Sequence, residues 1–365
     1  MTNEKVIEKC KNLLLDLPNI TKVEHLESKV SNITTAWSHK AWSPEQIARD
    51  IGANFYDGCI EAKLPIDNVK ITTDHDQVVV HSPNTKFSLK KLFFLGSSKT
   101  GEQGYVGKHG EGFKLSIVSL ARISVFDPIN ISGSDALIIT IGNEDLETKL
   151  RPLVFNYFKI NEQNGTFFIV NTISDELKDA FKKTMLNFFH LKNELVGELL
   201  HEHNEIECYK SNTEHGYGFY CGLKRIEIKN IPIIINIKKP YAALEKLTAQ
   251  DRDRANFGTK LQSTFYNIFC RGGFGYNFNG NDAIYHIISS SKLTWKKGAP
   301  LLASISNHSY TRLKKDPRIK KLFGKEYISE SKFRYTGAIT WSDWYSTKTQ
   351  GYVLKRDKQL KDKKI

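Results

Sequence analysis

The sequence predicts an α/β fold: a two-layer sandwich with helices on one face of a mixed sheet, then a second α+β domain and a basic C-terminal region. Three observations carry this. Helical patterns open on recognisable start signals at Ser43 and Ser174. Short β-branched or aromatic runs, bounded by turn residues, lie between and after them, as strands do. The 365 residues, 40 % of them hydrophobic, suffice for two domains with packed cores.

In chain order, Val6 to Leu17 is an amphipathic pattern interrupted by Glu8, Lys9, Lys11 and Asp16, which reads as a helix and not as a signal peptide. A polar connection, Val23 to Lys40, completes residues 1–40. Ser43-Pro44-Glu45-Gln46 then predicts a helix start: Ser as N-cap, Pro at the first helical position and Gln closing a capping box. Ile47, Ile51 and Phe55 form its apolar stripe. Val69 to Asp76 reads as a hairpin leading into the strand Gln77 to Val80. Further strands are expected at Ile123 to Phe126, Ala136 to Ile141 and Leu153 to Ile160. These define a first domain at 41–175. A second, at 176–310, begins in the helix from Ser174 to Leu191, whose first turn holds Asp175 and Glu176 as the helix dipole favours. It continues with a helix over Asn193 to His203, strand-like runs Gly216 to Cys221 and Arg225 to Ile237, and a helix from Thr259 to Cys270.

Composition excludes several classes. No run of about eighteen apolar residues predicts a transmembrane helix. The five cysteines form no Cys-x-x-Cys pair, so they read as reduced thiols of a cytoplasmic protein without a zinc site.

Two segments point to chemistry. Gly107, Gly110 and Gly112 lie within six residues just before the apolar helix pattern Leu115 to Ile123. Such a backbone approaches a phosphate closely and aims the helix's first unpaired N–H groups at it. The same stretch also suits an ordinary glycine-rich surface loop. About fifty residues upstream, Asp50 and Asn54 stand four apart, one turn above the other. A carboxylate above an amide suits Mg²⁺, with the Asn oxygen as ligand and Asp placed to accept a proton from water. Two solvated polar residues on an amphipathic helix is the alternative reading.

Together these segments resemble the GHKL ATPase superfamily, the gyrase B, heat-shock chaperone, histidine kinase and MutL type with the Bergerat nucleotide-binding fold. The family's first box matches Asp50, Asn54, Asp57 and Gly58, with Asp in place of the usual Glu. Its glycine box matches Gly107, Gly110, Gly112 and Lys114, with Phe113 as the usual bulky residue and Lys108 inside the same turn. Leu95-Gly96-Ser97-Ser98-Lys99 is similar to the entry to the family's ATP lid, placing Ser97 and Lys99 there. Asn164-Gly165-Thr166 resembles the Gly-Thr strand beneath the adenine. The four segments keep the family's order over about 125 residues. The resemblance implies a Bergerat-type sandwich that binds ATP with Mg²⁺ on Asn54, Asp50 as general base, and a transducer-like second domain. Members also occur in phage–host conflict, including rIIA-like proteins.

One box departs. Where the family carries Asp-x-Gly-x-Gly, this chain has Ser82-Pro83-Asn84-Thr85-Lys86. Ser82 can accept one hydrogen bond but carries no charge, and Asn84 replaces a glycine. Asp74 and Asp76 lie nearby, either as substitutes for the lost carboxylate or as ordinary turn residues.

In the second domain, Asp251-Arg252-Asp253-Arg254 reads either as a self-paired cluster or as the source of a phosphate-binding cation, from Arg252, Arg254, Lys238 or Lys239. The net charge is +13, and residues 311–365 hold sixteen Lys and Arg against six Asp and Glu, interleaved with aromatics. That is a nucleic-acid footprint or simply a soluble basic subdomain. The expected function is therefore Mg²⁺-dependent ATP binding with slow hydrolysis driving a conformational switch. The alternative is a nucleic-acid-binding protein on a degenerate, non-hydrolysing Bergerat-like fold. A homodimer or protein partner fits either; a membrane partner is not expected.

Overall fold

The computed structural model describes residues 3–37, 41–74, 76–93, 112–172, 174–203, 205–228, 231–250 and 259–269, together with 286, 317 and 318. The chain divides into two compact units, Met1–Lys192 and Asn193–Ile365. The mixed helix-and-sheet class expected of the sequence is the class observed.

The first unit runs α1 (Asn3–Leu15), β1 (Val23–Thr34), α2 (Pro44–Glu61), β2 (Lys70–Thr73), β3 (Gln77–Ser82), α3 (Gly112–Arg122), β4 (Ile129–Ser132), β5 (Asp135–Ile141), β6 (Pro152–Ile160), β7 (Thr166–Asn171) and α4 (Asp175–Thr184). Its strands form one seven-stranded sheet in the order β1-β6-β5-β4-β7-β3-β2. Every pairing in it is antiparallel, so this sheet is not the mixed one expected.

Alternation along the strands separates two cores. Val78, Val80, Leu137, Ile139, Phe155, Phe168 and Val170 face Ile47, Ile51 and Phe55 of α2, Ile117 and Val118 of α3, and Leu177 and Phe181 of α4. Residues one position along, Ala136, Ile138, Phe158 and Ile169, join Cys10 and Leu14 of α1 on the opposite face. The N-terminal helix therefore adds a partial third layer to the expected two.

The capping box on α2 forms as read: Gln46 N–H donates to Ser43 Oγ at 3.3 Å and Ser43 N–H to Gln46 Oε1 at 2.9 Å. The helix ends where Lys63 turns left-handed (φ 54°) and Leu64 N–H reaches back to Cys59 O at 2.8 Å.

Several expectations are corrected. Val23 to Lys40 is no connection; most of it is β1, polar because it is an edge strand that buries little besides Ser31 and Ile33. Ile123 to Phe126 is not a strand but the closing turn of α3: Ser124 is left-handed and Val125 N–H bonds to Leu120 O at 2.9 Å. The helix from Ser174 stops at Thr184, because Phe188 turns inward to stack on Tyr56 at 5.2 Å.

The second unit contains β8 (Val196–His203), β9 (Ile206–Ser211), β10 (Gly216–Tyr220), β11 (Leu223–Ile228), β12 (Ile233–Ile237), α5 (Ala242–Gln250) and α6 (Thr259–Ile268). Its sheet order is β11-β10-β12-β9-β8, and here the pairing is mixed, since β10 and β12 run parallel. The helix expected over Asn193 to His203 is the strand β8: pairing with β9 overrides local propensity, and Asn193 Oδ1 holds Leu195 N–H at 3.0 Å in the turn before it. The run from Arg225 to Ile237 divides into two strands around Pro232. Among the described residues, no helix is long and apolar enough to cross a membrane.

Candidate functional site

Helix α2 carries Asp50, Asn54 and Asp57 on one stripe, and burial sorts them. Asp50 and Asp57 are 5 % and 0 % exposed, while Asn54 is half-buried. Asn54 Nδ2 donates to Asp50 O at 3.0 Å. That bond uses the amide nitrogen within the helix and leaves the amide oxygen as the polar atom available to a ligand. An amide oxygen is one of the hard donors that a Mg²⁺ ion takes. Among the described residues, no group of three or more His, Cys, Asp or Glu gathers to hold a metal.

Gly112, the first residue of α3, lies directly against the Asp50 carboxylate, so that a Cβ at Gly112 would overlap Asp50 Oδ1, Oδ2 and Cγ. Two segments sixty residues apart thus meet, and a buried carboxylate rests at a helix start, where unpaired N–H groups favour negative charge. Lys114, two residues further into α3, is only 2 % exposed, so α2 and α3 together carry three buried charged side chains, Asp50, Asp57 and Lys114. Phe113 faces the core, edge-on to Phe168 at 6.5 Å.

The other end of α2 meets a polar cluster at the β3–β7 pair. Ser82 and Thr166 are directly paired across the strands. Thr85 Oγ1 donates to Ser82 O at 2.7 Å and lies 2.6 Å from Thr166 Oγ1. Asn68 Nδ2 donates to Ser82 Oγ at 3.1 Å and to Pro83 O at 2.7 Å. Cys59 Sγ, on α2, is 3.4 Å from Ser82 Oγ; burial raises its pKa, while Ser82 and Asn68 pull the other way. Ser82 itself is fully buried. Asn84 is exposed, left-handed (φ 60°), and its N–H is held by Asn164 Oδ1 at 3.2 Å. Gly165 (φ +101°) packs so tightly on Ser82 O and Pro83 that no side chain fits there.

The structure thus places Asp50, Asn54, Asp57, Gly112 and Lys114 on two facing helices, and Ser82, Asn84 and Thr166 at the far end of α2. Ser97, Lys99, Gly107, Lys108, Gly110, Arg252 and Arg254 lie outside the described residues, as does the basic segment 311–365 apart from 317 and 318. Lys238 is committed elsewhere: its Nζ bonds to Glu207 Oε1 at 2.7 Å and Glu202 Oε1 at 3.0 Å. Sequence reading missed Asn68, Cys59 and Thr85 as partners of Ser82; only the position of Thr85 within the departing box hinted at it. No protein-family model matches the chain, and no curated protein matches it in sequence.

Proposed function

We propose that the first unit binds ATP with Mg²⁺ in the manner of a GHKL ATPase, on a Bergerat-type sandwich. The contact between Gly112 and the Asp50 carboxylate carries this reading: it joins the glycine-box helix to the carboxylate–amide helix, the two segments on which the family resemblance rests. Along α2, Asp50 and Cys59 are nine residues apart, about 13 Å at 1.5 Å per residue. Phosphates belong at the Asp50–Gly112 end, and the base belongs at the Ser82–Thr166 end. Asn54 lies between them and holds the cation through its amide oxygen.

Mg²⁺, when bound, offsets the charge of the phosphates. Asp50 accepts the proton of the attacking water, and the N–H groups at the start of α3 receive phosphate oxygens. Thr166 and the buried Ser82–Asn68 network shape the base end. Nucleotide binding then drives a conformational switch, as the resemblance implies.

The test is a Mg²⁺-dependent thermal shift of the full chain with ATP and with a non-hydrolysable analogue, followed by phosphate release. Ligand at a hundred times its Kd stabilises by about 2.7 kcal/mol, a visible rise in Tm. No shift with any nucleotide overturns the proposal. Asp50→Asn should keep affinity within a few-fold and slow phosphate release by ~10²-fold or more.

A second reading, a nucleic-acid-binding protein that has lost turnover, is favoured by one observation. Ser82, standing where the family's adenine-reading carboxylate would be, is fully buried and engaged by Asn68. Nucleotide binding without phosphate release would select it.

A further inference from the structure

Strand β1 is the edge of the seven-stranded sheet; among the described residues, only β6 pairs with it. At twelve residues it is long for an edge strand, and its outer N–H and C=O groups form a template for another strand. Two of its apolar side chains are strongly exposed, Leu26 at 52 % and Val30 at 65 %. Neither has a place in either core of the unit.

The residues between them are arranged symmetrically. Reading outward from Ser28, Glu27 and Lys29 carry opposite charges, and Leu26 and Val30 are both apolar. In an antiparallel pair of two identical strands with the two-fold axis at Ser28, Ser28 faces Ser28 and Glu27 faces Lys29, while Leu26 of one strand and Val30 of the other come to the same end. The charge pair and the apolar contact are then each formed twice. Directly opposite residues in such a pair have Cβ atoms about 4.5–5.5 Å apart, and opposite charges or apolar groups there are favourable. Shifting this register by two residues puts Glu27 opposite Glu27 or Lys29 opposite Lys29, so charge selects one alignment.

We propose that β1 is a homodimerisation edge, and that its occupant is β1 of a second copy of this chain, paired antiparallel about Ser28. Glu27 and Lys29 are half-exposed and lie 3.0 Å apart within one strand, so both charges stay open to solvent and to a second copy. A bulge between His25 and Glu27 leaves Leu26 without a partner on β6 and bends the strand there. It limits the regular pairing about Ser28 to residues 27–29, with Leu26 and Val30 as apolar flanks at the two ends. Such a short interface is small, and the dimer forms in the micromolar range typical of limited surfaces.

The full chain at about 100 μM, analysed by sedimentation, should contain dimer. Glu27→Lys places lysine opposite Lys29 and should return the protein to monomer; Lys29→Glu does the same with two glutamates. Mixing these two variants restores opposite charges across the axis and should restore dimer, now containing one copy of each. Melting temperatures close to wild type in each variant show that the fold is kept.

A cross-link fixes the register. Ser28→Cys in a Cys270→Ser background should form an intermolecular disulfide under mild oxidation, because residues opposite each other at the axis fall within disulfide reach. The described native cysteines are all buried. Asn32→Cys, on the same strand but four residues from the axis, should not cross-link, since its two copies lie more than about 20 Å apart. A wild type that stays monomeric with no Ser28→Cys cross-link overturns the proposal. So does a dimer that ignores both charge reversals, which would place the contact on another surface.

Discussion

Gly112 sits against the carboxylate of Asp50 with no room for a methyl group between them. A helix start and a buried acid are thereby locked into one arrangement, and the glycine is required by its neighbour and not by its own backbone angles. Gly112→Ala should therefore destabilise the first unit by about 1–3 kcal/mol through overpacking, seen as a fall in Tm. Truncating the neighbour removes the clash, so the same substitution in an Asp50→Ala background should cost much less. Independent, additive losses in the double-mutant cycle would show that the two residues do not touch in solution.

Asn54→Ala should abolish Mg²⁺-dependent nucleotide binding while changing stability little. The side chain is half-buried and its amide nitrogen donates to the carbonyl of Asp50, within its own helix. No other residue of α2 offers an amide oxygen at that height. Calorimetry with ATP reads the outcome, and an affinity equal to wild type would sink the nucleotide assignment.

Local chemistry in the sequence was enough to place α2, because the capping box at Ser43 and the apolar stripe at Ile47, Ile51 and Phe55 act within one helix. The strands β5 and β6 were legible for a similar reason, as runs of β-branched and aromatic residues between turns, whereas β7 was read only through the family resemblance of Asn164-Gly165-Thr166. What failed were decisions made at long range. Asn193 to His203 contains good helix formers, but Leu199, His201 and His203 are recruited by strand β9. Edge strand β1 is too polar to announce itself, since only one of its edges is paired. Within the site, Asp50 and Asn54 could be read from their spacing, and the glycine stretch from its composition. The Asn68–Ser82–Thr85–Thr166 network could not, because its members come from three separate segments and only folding makes them neighbours.

Alkaline stability should be governed in part by two thiols. Burial, with the nearby charge of Asp127 second, pushes Cys10 from 9.0 to about 12. Burial alone does the same to Cys208. A raised folded pKa means that the native state keeps its proton while the unfolded chain loses it. Both contributions are therefore fully present below pH 9.0 and are lost as pH rises towards about 12. Each thiol steepens the decline by up to about 1.4 kcal/mol per pH unit. Denaturant titrations across that window should show a shallower alkaline slope in Cys10→Ala for the first unit, and in Cys208→Ala for the second. Slopes identical to wild type would mean that these thiols ionise without penalty in the native state.

The basic C-terminal segment gives the last expectation. Its excess of ten positive charges over residues 311–365 supplies most of the chain's +13. If that charge neutralises phosphates, each contact releases counterions, and affinity for DNA or RNA falls steeply as salt rises. Deleting the segment would remove eight aromatic residues together with the charge, so reversal at Lys314, Lys315, Lys320 and Lys321 is the sharper probe. These four should lower nucleic-acid affinity and flatten its salt dependence, while ATP affinity and Tm stay at wild-type values. Fluorescence anisotropy with a labelled oligonucleotide at several salt concentrations reads both quantities at once. A shallow slope in the wild type, or binding untouched by the reversals, would leave the charge as a solubilising surface and point to protein partners instead.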